Sequence, residues 1–204
     1  PTVFHDSRCA DLFAAHLEVI DDVASWRAYE NAKALIDRDL DPLNVMIDRA
    51  HEVGMDFFGS LRLTHSSDPA AADSAHNWQF KIDHPEWVLQ GNDADPGRKN
   101  SFNWIHPEVR AERFAIAEET VTRYDVDGLE IDLTFGPHYF EVDEVAENMH
   151  VLTDFLRALK KVVNEAAARR GRTIELGARL FPSLKANNEA GFDIQTWFEE
   201  GLLD

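Results

Sequence analysis

The sequence predicts a parallel α/β fold, a TIM-type (β/α)8 barrel that this chain covers only in part. Three helix-then-strand units follow one another along the 204 residues, and such alternation favours a parallel sheet with crossover connections. The strands alternate between apolar and polar residues, whereas strands of an open sheet covered on both faces are almost continuously apolar. An apolar face towards helices and a polar face towards a lumen is typical of a barrel.

The helices of these units are recognised by the residues at their ends. Pro42 and Pro107 stand in first turns, and Gly54 and Gly171 stand where helices stop. The predicted helices span about 25–38, 41–53, 107–124 and 143–170, with a short helix after residue 193. The predicted strands span about 55–63, 127–135 and 173–181. The stretch up to residue 22 and the long segment 64–105 are predicted as loops.

Four charged residues on the polar faces of the strands are the candidate chemical groups. Asp132 ends the middle strand, where active-site groups of such barrels lie, and Glu130 precedes it on the same face. Arg62 and Arg179 end the flanking strands and would keep Asp132 ionised. Hydrolysis of a glycoside needs two carboxyl groups, which makes Asp132 and Glu130 the catalytic candidates. The alternative is an Arg–Asp–Arg charge layer that only satisfies polar groups of the lumen.

Aromatic and histidine side chains in the loops are the candidates for substrate binding. Trp78 and Trp104 belong to the segment 64–105, and exposed Trp side chains at a barrel mouth can stack on sugar rings. Trp87 is expected instead to anchor the loop on the core. The substrate-binding set predicted from the sequence is Arg62, His65, Trp78, Trp104, His138, Tyr139 and Arg179.

Composition excludes several other functions. The chain has 38 Asp and Glu residues against 20 Lys and Arg residues, and a formal net charge of -18 disfavours nucleic-acid binding. No apolar run is long enough to span a membrane, and the single Cys9 excludes an internal disulfide. His65 and His138 lack the spacing of metal ligands, and no glycine-rich phosphate loop occurs. Neither a metal nor a cofactor is therefore expected.

Four stretches together resemble a known family. They are 54–62, 106–110, 124–132, and 191–197 with 201–204, and their order and spacing are similar to the family-10-like glycosyl hydrolase barrels of bacteria. The resemblance implies a barrel with a carbohydrate substrate and with Asp132 at the active-site end of its strand. The chain departs from the family pattern at Thr64 and His65, where the family tends to carry Asn-Asp, and at Phe135, where it tends to carry Arg.

The sequence therefore favours a glycoside hydrolase that acts on a poly- or oligosaccharide. The alternatives are a non-catalytic carbohydrate-binding barrel and, third, a metal-dependent hydrolase that uses His65 and His138. Both ends, Pro1 and Asp204, are interpreted as cuts, so residues 1–204 are expected to be a partial barrel domain completed by strands of the same polypeptide. A periplasmic or secreted location is expected if the complete chain carries a signal peptide.

Overall fold

A computed structural model describes residues 2–91 and 95–204, so three residues of the long loop, 92–94, lie outside the described residues. The N-terminal part contains two short strands, β1 (Thr2–Val3) and β2 (Asp11–Leu12), which pair in parallel. Helices α1 (Val23–Ile36) and α2 (Pro42–Glu52) follow. The two strands correct the expectation that this stretch is only a loop.

The remainder of the chain carries the three predicted units. The elements in chain order are β3 (Phe58–Arg62), α3 (Gln79–Asp83), a 3₁₀ turn (Pro85–Trp87), α4 (Pro107–Arg123), β4 (Gly128–Asp132), α5 (Val145–Arg170), β5 (Glu175–Arg179), α6 (Leu184–Glu189) and α7 (Ile194–Glu199). The long helices begin and end where their terminal residues predict. Pro42 lies in the first turn of α2, and Gly171 ends α5 in the left-handed conformation, with φ of 68°.

Strands β3, β4 and β5 form a parallel sheet in that order. Arg62 pairs in register with Asp132, and Asp132 pairs with Arg179, so the three side chains form one row on one face. This confirms the predicted parallel neighbours and their shared polar face. The three strands are shorter than predicted. β4 ends at Asp132 because its carboxylate accepts hydrogen bonds from the amides of Thr134 and Phe135, where the backbone turns.

The two faces of the sheet have different environments. Leu129, Ile131 and Leu176 are fully buried on the apolar face, where they belong to the same core cluster as residues of α4 and α5. On the opposite face the side chains of Arg62 and Arg179 keep more than half of their accessible surface. The alternation of the strands is thus explained by helices on one side and an open polar face on the other.

The complete barrel stays a prediction. In residues 2–91 and 95–204 this sheet has three strands and does not close. The described part of the chain is therefore a parallel α/β protein, and the eight-stranded closure and the domain bounds 1–204 stay predictions. The described residues form no helix with the length and apolar character that crossing a membrane requires.

Candidate active site

Asp132 lies at the centre of the polar row and is almost completely buried, with 2% of its side chain exposed. One carboxylate oxygen, Oδ2, accepts a hydrogen bond from Nη1 of Arg179 at 3.1 Å and lies 3.8 Å from Nε of Arg62. The other, Oδ1, accepts from the amide and hydroxyl of Thr134 and from the amide of Phe135. The carboxylate therefore binds Arg179, lies within ion-pair distance of Arg62 and fixes the turn that follows β4.

Glu130 lies on the same face of β4, two residues before Asp132. Its Oε1 accepts a hydrogen bond from Oγ of Ser60 at 2.9 Å and another from Nη2 of Arg179 at 3.0 Å. Arg179 thus bridges the two carboxylates. Glu130 accepts hydrogen bonds here, whereas a general acid must donate a proton to the leaving group. The arrangement favours Glu130 as a structural partner of Arg179 over the role of proton donor.

Phe135 forms the rim of the site next to Arg62. The guanidinium carbon of Arg62 lies 3.8 Å from the centre of the Phe135 ring, within the range of a cation–π interaction. The hydroxyl of Thr64 donates to the backbone carbonyls of Phe135 and Gly136 and so ties the end of β3 to the turn after β4. The sequence indicated Phe135 as a departure from the family pattern that falls at the presumed substrate rim, and its ring lies beside Arg62.

A cavity of about 1060 Å³ lies beside β3 and reaches this rim. Its walls include both polar and aromatic side chains, among them Phe4, Phe13, Arg62, His65, His76 and Phe135. It is large enough for a drug-sized ligand, for which 300–1,000 Å³ is typical. The predicted residues Arg62 and His65 thus line one cavity, whose other aromatic walls come partly from the N-terminal segment.

His65 is an uncharged side chain in this cavity at neutral pH. Burial, and then the nearby positive charge of Lys81, hold the pKa of His65 at about 4. Its Nδ1 accepts a hydrogen bond from the amide of Ser67 at 3.1 Å, so the neutral ring carries its proton on Nε2. The ring stacks on His76 with a centroid distance of 5.6 Å. His65 can therefore offer a neutral hydrogen-bond donor without adding charge.

Three residues of the predicted substrate-binding set are buried, which disagrees with the expectation that Trp78 and Trp104 are exposed for stacking on sugar rings. Trp78, Trp104 and Tyr139 expose 3%, 0% and 1% of their surface. Trp78 donates through Nε1 to Glu112, and Trp104 packs edge-on against Tyr139 and against Phe155 of α5. The long loop folds back and completes the core with its aromatic side chains.

Trp87 packs partly buried against the same core, as expected of a loop anchor.

His138 lies in different surroundings from His65. Its Nδ1 is 3.7 Å from a carboxylate oxygen of Asp95, and burial lowers the pKa of its imidazole. Among the residues that the structure describes, His138 is not part of the cavity wall. No group of three or more His, Cys, Asp or Glu side chains in the described ranges could hold a metal ion. The geometry therefore offers no support for a metal site that combines His65 with His138.

Lys81 in α3 is fully buried and fastens the long loop to the end of β3. Its Nζ donates to the carbonyl of His65 at 2.7 Å and to the hydroxyl of Ser67 at 3.3 Å. Burial, and then the charge of Arg113, lower the pKa of Lys81 from 10.5 to about 7. The folded protein therefore holds an uncharged Lys81 above about pH 7, whereas the unfolded chain keeps that proton up to about pH 10.5.

We expect this difference to make the protein more stable as the pH rises. Between about pH 7.5 and 9.5 the free energy of unfolding should gain about 1.4 kcal/mol per pH unit from Lys81. Lys81→Met should abolish that slope, because methionine has no proton that titrates. The variant also loses the bonds to His65 and Ser67, and this loss of stability does not vary with pH. Denaturant unfolding of both proteins across this range measures the difference. A parallel pH dependence in the two proteins would show that Lys81 does not titrate there.

The fold and the site define a parallel α/β protein with charged side chains at the carboxyl ends of neighbouring strands. The family model described as glycosyl hydrolase-like 10 matches residues 19–151, which is more than half of the chain. The chain therefore belongs to the glycosyl hydrolase-like 10 family, which confirms the resemblance found in the sequence.

Similar proteins include curated relatives and a solved structure. The chain is 23% identical over 208 residues to the glycosyl hydrolase DigH of Escherichia coli strain K12, and proteins of that name from Escherichia coli O157:H7 and Shigella flexneri match equally. The match covers 80% of this chain and 44% of those proteins, so the chain spans less than half of their length. A maltogenic alpha-amylase, AmyB from Thermotoga neapolitana, matches with a TM-score of 0.42 and 18% identity, over 78% of this chain and 34% of that one.

Proposed function

We propose that this chain forms part of a glycoside hydrolase acting on a poly- or oligosaccharide, with Asp132 as an ionised carboxylate at the floor of the cleft. The observation that carries the proposal is the row Arg62–Asp132–Arg179 at the carboxyl ends of three parallel strands. Of these three residues, Arg62 also lines the cavity of about 1060 Å³. Active sites of parallel barrels lie at this end of the strands. Membership of the glycosyl hydrolase-like 10 family supports the same class of reaction.

The geometry favours an electrostatic role for Asp132. Glycosidic bond cleavage passes through a transition state that resembles an oxocarbenium ion, and a fixed negative charge stabilises it. Both oxygens of Asp132 already accept hydrogen bonds, and only 2% of the side chain is exposed. Stabilisation by charge therefore fits this side chain better than covalent attack on the sugar.

The proton donor is proposed to lie outside this chain. Hydrolysis needs a second carboxyl group, and Glu130 is occupied by hydrogen bonds from Ser60 and Arg179. The chain covers 44% of the length of its curated relatives. We propose that further strands of the same polypeptide complete a TIM-type barrel and supply the missing carboxyl group.

A non-catalytic sugar-binding protein is the second candidate. It is favoured by one observation, namely that both oxygens of the Asp132 carboxylate accept hydrogen bonds from protein groups. This is also what a structural charge layer requires.

The release of reducing ends from a panel of polysaccharides and oligosaccharides, measured with the complete polypeptide that carries the proposed second carboxyl group, separates the two candidates. We expect at least one substrate to be cleaved. A folded protein that binds a sugar from the panel without cleaving it would support the non-catalytic candidate and contradict the hydrolase.

A further inference from the structure

The two arginines of the polar row differ in how far their guanidinium groups are engaged. Arg179 donates to Asp132 at 3.1 Å and to Glu130 at 3.0 Å. Arg62 is only in charge contact with Asp132, at 3.8 Å from its Nε, and in the described part of the chain its guanidinium donates no hydrogen bond to the protein. The five N–H donors of Arg62 are therefore free for another partner.

The free guanidinium is nevertheless held in place. The ring of Phe135 lies 3.8 Å from its central carbon and covers one of its faces. The backbone of Phe135 is fixed in turn by the hydroxyl of Thr64 and by the buried carboxylate of Asp132. A guanidinium oriented by stacking loses less freedom when a ligand binds than a mobile surface side chain does.

Arg62 presents its positive charge to the cavity. His65 and His76 line the cavity with Arg62, and the low pKa of His65 leaves it neutral. Asp22, whose carboxylate also belongs to the cavity wall, caps α1 by accepting from the amide of Ser25. Its carboxylate is therefore already engaged by the protein backbone.

We propose that Arg62 binds a carboxylate of the substrate, so that the sugar bound beside β3 is an acidic one, such as a uronic acid. The inference rests on the proposed function, because it takes the cavity to be a carbohydrate cleft. The planar fork of an arginine matches the two oxygens of a carboxylate. A single free guanidinium, backed by an aromatic ring, suits a group with one negative charge better than a dianionic phosphate.

The test compares an acidic oligosaccharide with its own neutral form. The probes are a uronic-acid tetrasaccharide and the same molecule after reduction of its carboxyl groups, and their affinities are measured calorimetrically at low salt. The protein is expected to bind the acidic probe at least about tenfold more tightly, as a charge-assisted bidentate contact allows. Arg62→Gln should bring this ratio to about 1. Arg62→Lys, which keeps the charge and loses the fork, should give an intermediate ratio.

Arg27→Gln is the matched control, because Arg27 is an exposed residue of α1 and the same charge is removed away from the cavity wall. It should keep the full preference for the acidic probe. Equal affinities of the unmodified protein for both probes, absence of binding to either, or an unchanged ratio in Arg62→Gln would each overturn the inference. Cleavage of neutral sugars without preference for acidic ones would overturn it and leave the hydrolase standing. An Arg62-dependent preference for the acidic probe without cleavage of any sugar would support the inference and contradict the hydrolase.

Discussion

Replacing Asp132 with Asn in the complete polypeptide is expected to lower the turnover number for sugar hydrolysis by at least about a hundredfold, as removal of one fixed transition-state stabilising group does. The amide has nearly the shape of the carboxylate and can still accept from Thr134 and Phe135 through its oxygen. It carries no negative charge to stabilise a developing oxocarbenium ion. The measurement is the rate of reducing-end release at saturating substrate.

Loss of folding must be separated from loss of chemistry. Removing one partner of a buried ion pair can cost about 3–5 kcal/mol, and Asp132 is bonded to Arg179. Denaturant unfolding of the Asn variant therefore accompanies the assay, and the hundredfold loss counts only for protein that is folded under the assay conditions.

Glu130→Gln provides the matched control. It changes a carboxylate to an amide on the same strand and face, and it removes the negative charge of a group that is bonded to the same Arg179. We expect it to lower turnover much less than Asp132→Asn. Equal losses in the two variants would indicate that both carboxylates only position Arg179. Turnover at the parental rate in a folded Asn variant would assign Asp132 to a structural charge layer.

The sequence predicted the sheet and its polar row because both depend on local periodicity. In a strand the side chains alternate between faces, so Arg62 and Asp132 could be assigned to one face from sequence alone, and the register that aligns them with Arg179 confirms it. The helix ends were equally local, since Pro42 and Gly171 act through their own backbone conformations. Features that depend on one or a few consecutive residues were therefore predictable.

The environment of the long loop was not predictable in this way. An aromatic ring in a loop can lie in solvent or complete a core, and composition is the same in both cases. Trp78 and Trp104 proved to be core residues because the loop folds back onto α4 and α5. The buried Lys81, in a helix of only five residues, holds this arrangement through contacts with residues 14 and 16 positions away. No periodic signal exists for such contacts.

Replacing Arg113 with Met is expected to lower the free energy of unfolding by about 3–5 kcal/mol, the cost of removing one partner from a buried ion pair. Arg113 lies in α4 with 1% of its side chain exposed, and its Nε donates to the carbonyl of Leu63 at 2.8 Å. Its Nη1 lies 3.2 Å from Oε2 of Glu112, and its guanidinium carbon lies 4.9 Å from the centre of the Trp78 ring. Met fills much of the same volume but removes the donor to that carbonyl and the guanidinium that lies beside Glu112.

Arg169→Met on α5 is the control, because Arg169 is exposed and such surface substitutions usually change stability by less than about 0.5 kcal/mol. Urea unfolding of the three proteins measures the difference. A loss below about 1 kcal/mol in Arg113→Met would mean that the core tolerates the change. Because Leu63 directly follows the strand that carries Arg62, the same variant should also weaken the preference for an acidic sugar under conditions where it stays folded. An Arg113→Met protein that is destabilised yet keeps the full preference would show that β3 holds Arg62 in place without this contact.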